Sequence, residues 1–548
     1  MSKNKKSSVL VQGAILAAAS ILCRVIGLLY RSPLREIIGD DGNGFYSYAY
    51  NIYTIILLIA SFSIPLAVSK SISARLAKGE YRNAQRIFHG ALFYAFVVGL
   101  IAFAVCYFGA PYLVPSGAVP ALHVLAPVIF FSGILGVLRG YFQGHSTMIP
   151  TSISQIIEQI LNAVVSVVAA YLMVRSFTDV STDALKYQRA SLGAKGSAIG
   201  TGAGVGIGLI FCIVLYFMYR PKAKKQIKRD KTKHVESYGS VLKILIFTIT
   251  PVIFSTAIYN CSTSINQSIF SFILGNKGYK ELAIASMYGI FSTQFNVLIN
   301  VPVSMASALS SAIVPDISGN YAIGEKAALR ESIDSAIKLN MMVMIPCAVG
   351  LTVLADPIIH LLFPTATDLG GKLLIMGSVT VVFYGLSTLS NGILQGLGKM
   401  NVPVKHAFIA VVVQAITLFP LLYFTQLNTY ALVIAMIVFS FIMCVLNARA
   451  ITKYVGYKQE YSRTFLRPFI ASVFMGIAAF AVYKVAHMIT RHFGVYLGNA
   501  LAVMIAIIIA VLVYMVGVVK TGAVTEDEMR AMPKGYLLVK LCKKLHLM

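Results

Sequence analysis

The sequence predicts an all-α integral membrane protein of about fourteen transmembrane helices, two six-helix lobes followed by two extra C-terminal helices. Composition is the first observation behind this. Of 548 residues, 57% are apolar and only 12% are charged, against about 25% charged in soluble domains. The second is mean hydropathy, +0.78. The third is pattern: apolar runs of roughly 18 residues or more recur along the whole chain, each long enough to cross about 30 Å of hydrocarbon at about 1.5 Å per residue.

The elements follow in order. Met1 to Ser8 is polar, with Lys3, Lys5 and Lys6. The apolar run 9–30 behind it exceeds the roughly 7–15 residues of a secretory-signal core, so it reads as a retained first span. Further spans are predicted at 45–69, 87–108, 121–143, 150–173, 195–219, 243–274, 286–312, 336–356, 372–396, 403–424, 429–449, 468–487 and 496–519. The seventh is overlong, which predicts tilting or emergence from the bilayer.

An even number of spans places both termini on one side. With that side cytoplasmic, the inner segments hold a roughly threefold excess of Lys and Arg, as the positive-inside rule requires. The block from Arg220 to Lys233 (RPKAKKQIKRDKTK) is the strongest single anchor. The net charge of +26 is therefore assigned to cytoplasmic loops meeting anionic lipid, not to nucleic acid. The predicted organisation is an N-lobe at 1–219, a basic cytoplasmic linker at 220–242, a C-lobe at 243–450, the last two helices within 451–520, and a cytoplasmic tail at 521–548.

The second set of six spans echoes the first. Gly140-Tyr-Phe-Gln143-Gly144 after the fourth span matches Gly392-Ile-Leu-Gln395-Gly396 after the tenth. The end of the second span, IPLAVSKSIS from Ile64, matches VPVSMASALS from Val301 at the end of the eighth. Duplicated six-helix units are a common plan in secondary transporters, with the substrate site between the halves.

Charges inside spans need a reason, because each is disfavoured by about 2.5–3.5 kcal/mol on insertion scales. Arg24 lies deep in the first span. It either snorkels toward Arg31 and Arg35 or faces an aqueous cavity and holds an anion, for which its donor fork is suited. Arg139 and Glu158 sit on adjacent antiparallel spans. They form either a structural ion pair or a second anion contact that Glu158 tunes. Asp316 reads as a loop carboxylate. Uncharged polar residues concentrate in spans two, seven, eight and ten, among them Asn51, Asn260, Gln267, Gln294, Asn391 and Gln395. Such groups bridge helices or wet a cavity. Gly196, Gly200, Gly204 and Gly208 repeat at every fourth position of span six, which predicts close helix packing and not a phosphate loop, since no strand precedes them. Pro65, Pro251 and Pro302 could kink helices, whereas Pro150 and Pro403 read as helix boundaries. No HExxH, GxSxG or Walker A string appears, and the seven cysteines form no CxxC pair. No enzyme activity, cofactor or metal is expected.

RVIGLLYRSPL from Arg24, LRGYFQGHSTMIPTSISQIIEQ from Leu138, and the two segments at Ile64 and Val301 resemble the polysaccharide-export branch of the MATE-like flippase superfamily. Within it they are most similar to the stage V sporulation protein B group and the MurJ-type lipid II flippases of Gram-positive bacteria. The resemblance covers essentially the whole chain. It implies two lobes in a V around a cationic cavity, a groove for a lipid tail at helices thirteen and fourteen, and alternating-access transfer of undecaprenyl-pyrophosphate-linked sugars (lipid II or a related envelope precursor) to the outer leaflet. It implies a multi-pass protein of the bacterial cytoplasmic membrane. The expected partners are the lipid-linked oligosaccharide, membrane lipids and cell-wall synthesis proteins, with no nucleic acid and a monomeric chain. Arg24 matches the cavity arginine of the first helix. MurJ proteins also carry arginines in helices two and eight, where this chain offers Asn51 and Gln294. Substrate contact is therefore expected from Arg24, Arg139, Asn51, Gln294 and Glu158. An ion-coupled drug or metabolite antiporter and a non-transporting scaffold of envelope or spore assembly are the alternatives. The basic first helix disfavours the antiporter, which usually needs an acid there.

Overall fold

A computed structural model describes residues 19–20, 22–62, 64–177, 181–228, 230, 232, 235–524, 526 and 536, with backbone alone at 62, 222 and 248–261. Half of the predicted first span, most of the predicted tail, and the side chains of Pro251 and Asn260 lie outside the described residues. Among the described residues all regular structure is helical. Eleven helices among the described residues are long and apolar enough to cross a membrane, or twelve if Asp368–Gly377 and Val379–Gly396, bent by 51°, count as one span. Helices are the expected solution, because hydrocarbon offers no water to satisfy backbone groups.

The chain divides into two compact units, 1–290 and 291–548. In the first, residues 22–29 are helical and lead through Tyr30 into α1 (Arg31–Leu57). The stretch between the first two predicted spans is thus helical, not an open loop. It breaks at Gly39, whose φ of +72° suits glycine alone. The break is held by the buried Arg35, which forks both Asp40 carboxylate oxygens at 2.7 Å, and by Asn43, which donates to the Gly39 carbonyl at 2.8 Å. A π turn at Leu58–Phe62 precedes α2 (Ile64–Ala77). Then follow α3 (Tyr81–Leu113), α4 (Val119–Gly144), α5 (Ile149–Val174), α6 (Asp183–Lys228), α7 (Tyr238–Asn276) and α8 (Glu281–Ile290). Pro150 stands in the first turn of α5, as a boundary proline should.

Two predicted boundaries move. The overlong seventh span is one 39-residue helix. The basic block expected to be a linker continues α6 as helix through Lys228, because Lys, Arg, Gln and Ala are good helix formers and the membrane surface does not end a helix. The turn that follows is anchored by carboxylates. Asp230 accepts from the Arg82 amide at 2.6 Å, and Glu236 accepts from Arg75 at 2.7 Å.

The glycine face of α6 packs as predicted. A Cβ on Gly196 would lie 2.5 Å from Ala170 Cα, one on Gly200 2.0 Å from Ser166 Oγ, and one on Gly204 2.6 Å from the Glu158 carbonyl. Ser166 also donates to the Ser197 carbonyl across the seam, at 3.0 Å.

The second unit opens with a π turn at Phe291–Phe295, followed by α9 (Asn296–Ala322), α10 (Lys326–Val353), α11 (Ala355–Leu362), α12 (Asp368–Gly377), α13 (Val379–Gly396), α14 (Asn401–Phe424) and α15 (Thr429–Val455). The last two helices, α16 (Arg467–Thr490) and α17 (Val495–Lys520), pack on α10, where Tyr514 donates to the Met342 carbonyl at 2.7 Å. Asp316 is not in a loop. It lies in α9, one residue after Pro315, and accepts from Ser332 of α10 at 2.6 Å.

The duplicated landmarks have parallel settings within their units. Spans two and eight both contain a five-residue π turn. Gly140 and Gly144 rest on α2 near Val68 and Ile72, while Gly392 and Gly396 rest on α9 near Ser310 and Ile317. The register is displaced, since the sequence match alone would pair Gly392 with the neighbourhood of Pro302 and Met305.

The α5–α6 seam predicts that Gly200→Leu destabilises the protein by about 1–3 kcal/mol through overpacking. Gly206, which faces open space, should accept Ala without loss. Melting temperatures in detergent micelles test this; equal values for wild type and Gly200→Leu would reject the seam.

Candidate functional site

The predicted site residues fall into separate local settings. Arg24 lies on the helical segment 22–29 and is exposed. Its neighbours hold that turn against α5: Cys23 Sγ donates to the Gln155 carbonyl at 3.4 Å, and a Cβ on Gly27 would lie 3.3 Å from Gln159 Nε2. The turn is therefore seated while the guanidinium is not. Among the described residues no carboxylate or carbonyl pairs with Arg24. Other arginines of this unit differ. Arg35 forks Asp40, and Arg75 meets Glu236.

Arg139 of α4 and Glu158 of α5 meet directly. Arg139 Nη2 lies 2.6 Å from Glu158 Oε2, and Arg139 Nε donates to Ser154 Oγ at 3.0 Å. The ion-pair reading holds in this conformation. Glu158 is set by the glycine seam, because its own carbonyl rests on Gly204. The Arg139 and Glu158 side chains are 14% and 27% exposed, so water and ligands can reach a pair that still sits mostly inside protein.

Asn51 bridges helices. Its amide donates to Gln267 Oε1 of α7 and to the Tyr288 hydroxyl of α8, the latter at 2.9 Å. Tyr288 stacks on Tyr48 at 4.9 Å, and Ser271 donates to the Tyr48 hydroxyl at 2.5 Å. Both amide protons of Asn51 are thereby engaged, so it reads as a strut between helices.

In the second unit Gln294 is fully buried in the π turn of span eight. Its side-chain oxygen lies against α12, where a Cβ on Gly370 would approach it to 2.1 Å. Asn391 accepts from Asn447 of α15 at 2.8 Å, and His406 Nδ1 of α14 lies 2.7 Å from Asn447 Oδ1. The sequence analysis did not single out Asn447, an amide within an apolar span, which is itself the available signal. It also passed over Arg35–Asp40, for which the nearby Gly39-Asp40-Asp41-Gly42 string was a cue. Among the described residues no group of His, Cys, Asp and Glu is placed to hold a metal ion.

Comparison with known proteins adds identity to this geometry. The family described as Polysaccharide biosynthesis protein matches residues 9–321, and the MatE family matches residues 251–419. The lipid II flippase MurJ of Bacillus subtilis (strain 168) is 25% identical over 533 residues, covering 92% of this chain and 93% of that protein. Stage V sporulation protein B of the same organism is 23% identical over 461 residues, covering 82% and 85%. Among solved structures, a multidrug resistance MATE family transporter of the MOP superfamily, in its inward-facing conformation, aligns with a TM-score of 0.61 at 15% identity, covering 80% of this chain and 98% of that one. That last likeness is one of fold.

The Arg139–Glu158 geometry predicts coupling between the two residues. Arg139→Met and Glu158→Gln should each lower the melting temperature. The loss should exceed the roughly 1 kcal/mol of a surface pair and stay below the about 3–5 kcal/mol of a fully buried one. The double variant should recover most of it. Additive losses in a double-mutant cycle would show that the pair is not a unit.

Proposed function

The chain belongs to the polysaccharide biosynthesis protein family, and from that premise we propose that it is a flippase for an undecaprenyl-pyrophosphate-linked sugar, lipid II or a related envelope precursor. It carries the headgroup from the inner to the outer leaflet by alternating access of two six-helix lobes. The fourteen-helix topology with both termini cytoplasmic, the bacterial cytoplasmic membrane as location and the action as a monomer without cofactor belong to the same proposal.

Arg24 is the observation that carries it. A guanidinium in an apolar helix with no partner among the described residues is disfavoured by about 2.5–3.5 kcal/mol unless something else compensates it. A pyrophosphate would, since its oxygens match the planar donor fork. Arg139 supplies a second contact when the headgroup displaces Glu158 from it; the two fill the same donor and cannot hold it together. Asn51 and Gln294 lie in the two spans where the resemblance implies further arginines, and both are engaged between helices, so the anion is held mainly by Arg24.

The polyprenyl tail stays in lipid throughout, so only the headgroup needs a shielded route. Nothing in this cycle makes or breaks a covalent bond. Outward movement of a negative headgroup is favoured by an inside-negative potential, by about 2.3 kcal/mol per charge per 100 mV.

Arg24→Ala should abolish rescue of a strain depleted of its lipid II flippase, and Arg24→Lys should retain part of it. Full rescue by Arg24→Ala would remove Arg24 from the mechanism. In reconstituted vesicles carrying labelled lipid II, collapsing an inside-negative potential should slow appearance of label in the outer leaflet. An unchanged rate would exclude the potential as a driving force.

A further inference from the structure

Beside the thirteenth and fourteenth predicted helices, the second unit contains a cavity of about 530 Å³, within the range of small-ligand sites, separate from the residues assigned to the headgroup. It lies where α10 ends, α11 begins, α16 nears its end and α17 begins. Asp356 and His360 of α11, Phe480, Tyr483 and His487 of α16, and Tyr496 of α17 line it. We propose that this cavity binds an ammonium group, held by the Asp356 carboxylate against an aromatic and imidazole wall.

The walls are braced before any ligand arrives. Tyr483 donates to Asn499 Oδ1 at 2.9 Å, and Asn499 Nδ2 donates to the Pro357 carbonyl at 3.0 Å. Tyr496 donates to the Leu361 carbonyl at 3.3 Å. These three bonds tie α16, α17 and α11 around the space. A braced cavity loses little freedom on binding.

Its chemistry selects for positive charge. Among the described residues Asp356 has no ion pair and its carboxylate accepts no hydrogen bond, and no Lys or Arg lines the cavity. Asp356 is exposed, so its carboxylate draws a cation by direct attraction at the rim of the cavity and not through a burial penalty. The buried Nδ1 of His487 has no hydrogen-bond partner, and a neutral imidazole nitrogen can accept from an ammonium N–H. His360 cannot take that role through Nδ1, which already faces the Asp356 carbonyl at 2.9 Å. The His487 ring stacks on Tyr483 at 5.5 Å. The wall already tolerates a cation, since Lys484 Nζ stands 4.7 Å from the Phe480 ring centroid. The same carboxylate repels phosphate, so this site is distinct from that proposed at Arg24. The ends of spans lie at headgroup depth, which makes the ethanolamine of a phospholipid one source of the ammonium and a free organic cation the other.

Native mass spectrometry of the full chain in detergent, titrated with phosphatidylethanolamine or phosphatidylglycerol of matched acyl chains, tests the proposal. The wild type should prefer phosphatidylethanolamine by about tenfold, the equivalent of one good ion contact with an aromatic neighbour. Asp356→Asn should remove that preference, by weakening phosphatidylethanolamine binding and relieving the repulsion of phosphatidylglycerol, and Asp356→Glu should retain it. Equal binding of the two lipids by wild type, or a preference that survives Asp356→Asn, would overturn the proposal. Benzylammonium, a primary ammonium with the same N–H donors, then separates the sources. Displacement of the lipid extends the site to free cations, and failure to displace confines it to the headgroup; an ammonium site accounts for either result.

Discussion

Close approach of helix backbones at glycine and serine is the constraint on which the first unit depends. In hydrocarbon, apolar side chains gain little by leaving lipid for protein, so helices associate where small residues let backbones touch and polar groups bond across. The face of α6 that carries Gly196, Gly200 and Gly204 meets Ala170, Ser166 and Glu158 of α5 at distances that a methyl group would violate. That contact fixes the height of Glu158, and through it the position of Arg139 on α4. The first helix then lies on the same α5 through Cys23 and Gly27. One seam thus sets both the engaged arginine and the unengaged one.

Charge is distributed in the same unit with a clear division. Arg35, Arg75 and Arg139 each face a carboxylate. Two of these pairs brace irregular backbone: Arg35–Asp40 holds the Gly39 break, and Arg75–Glu236 holds the chain as it enters α7. Arg24 has no such duty among the described residues, which is why an anionic ligand is the natural complement for it. The uncharged polar residues behave differently. Asn51, Gln267, Asn391 and Asn447 join helices by hydrogen bonds, the cheaper way to bring polarity into a bilayer than a full charge.

Much of this was legible beforehand. Long apolar runs predict helices because the period and length of each run are local properties. The fourfold glycine spacing predicted a packing face for the same reason: residues at that spacing share one side of a helix. The repeat was legible through Gly140 and Gly392. Its register was not, since a slide of about two turns of one helix on another changes no residue type. The Gly39 break was hidden because a glycine-rich polar stretch reads equally as a loop, and the Arg35–Asp40 fork that makes it helical on both sides joins residues whose orientation depends on the break itself.

By itself, then, the chain's residue order determined an all-helical membrane protein, a clustering of Lys and Arg between apolar runs, a recurrence of two short motifs and a short set of ionisable residues inside apolar runs. These follow from hydropathy and spacing, which act residue by residue. Only the tertiary structure decided which of those residues are partnered. Arg139 and Arg24 look alike in sequence, each a lone arginine in an apolar span. Their difference arises because α4 and α5 bring Glu158 to one and no acceptor among the described residues reaches the other. A partner is a property of two helices in contact, and one helix at a time cannot carry that information.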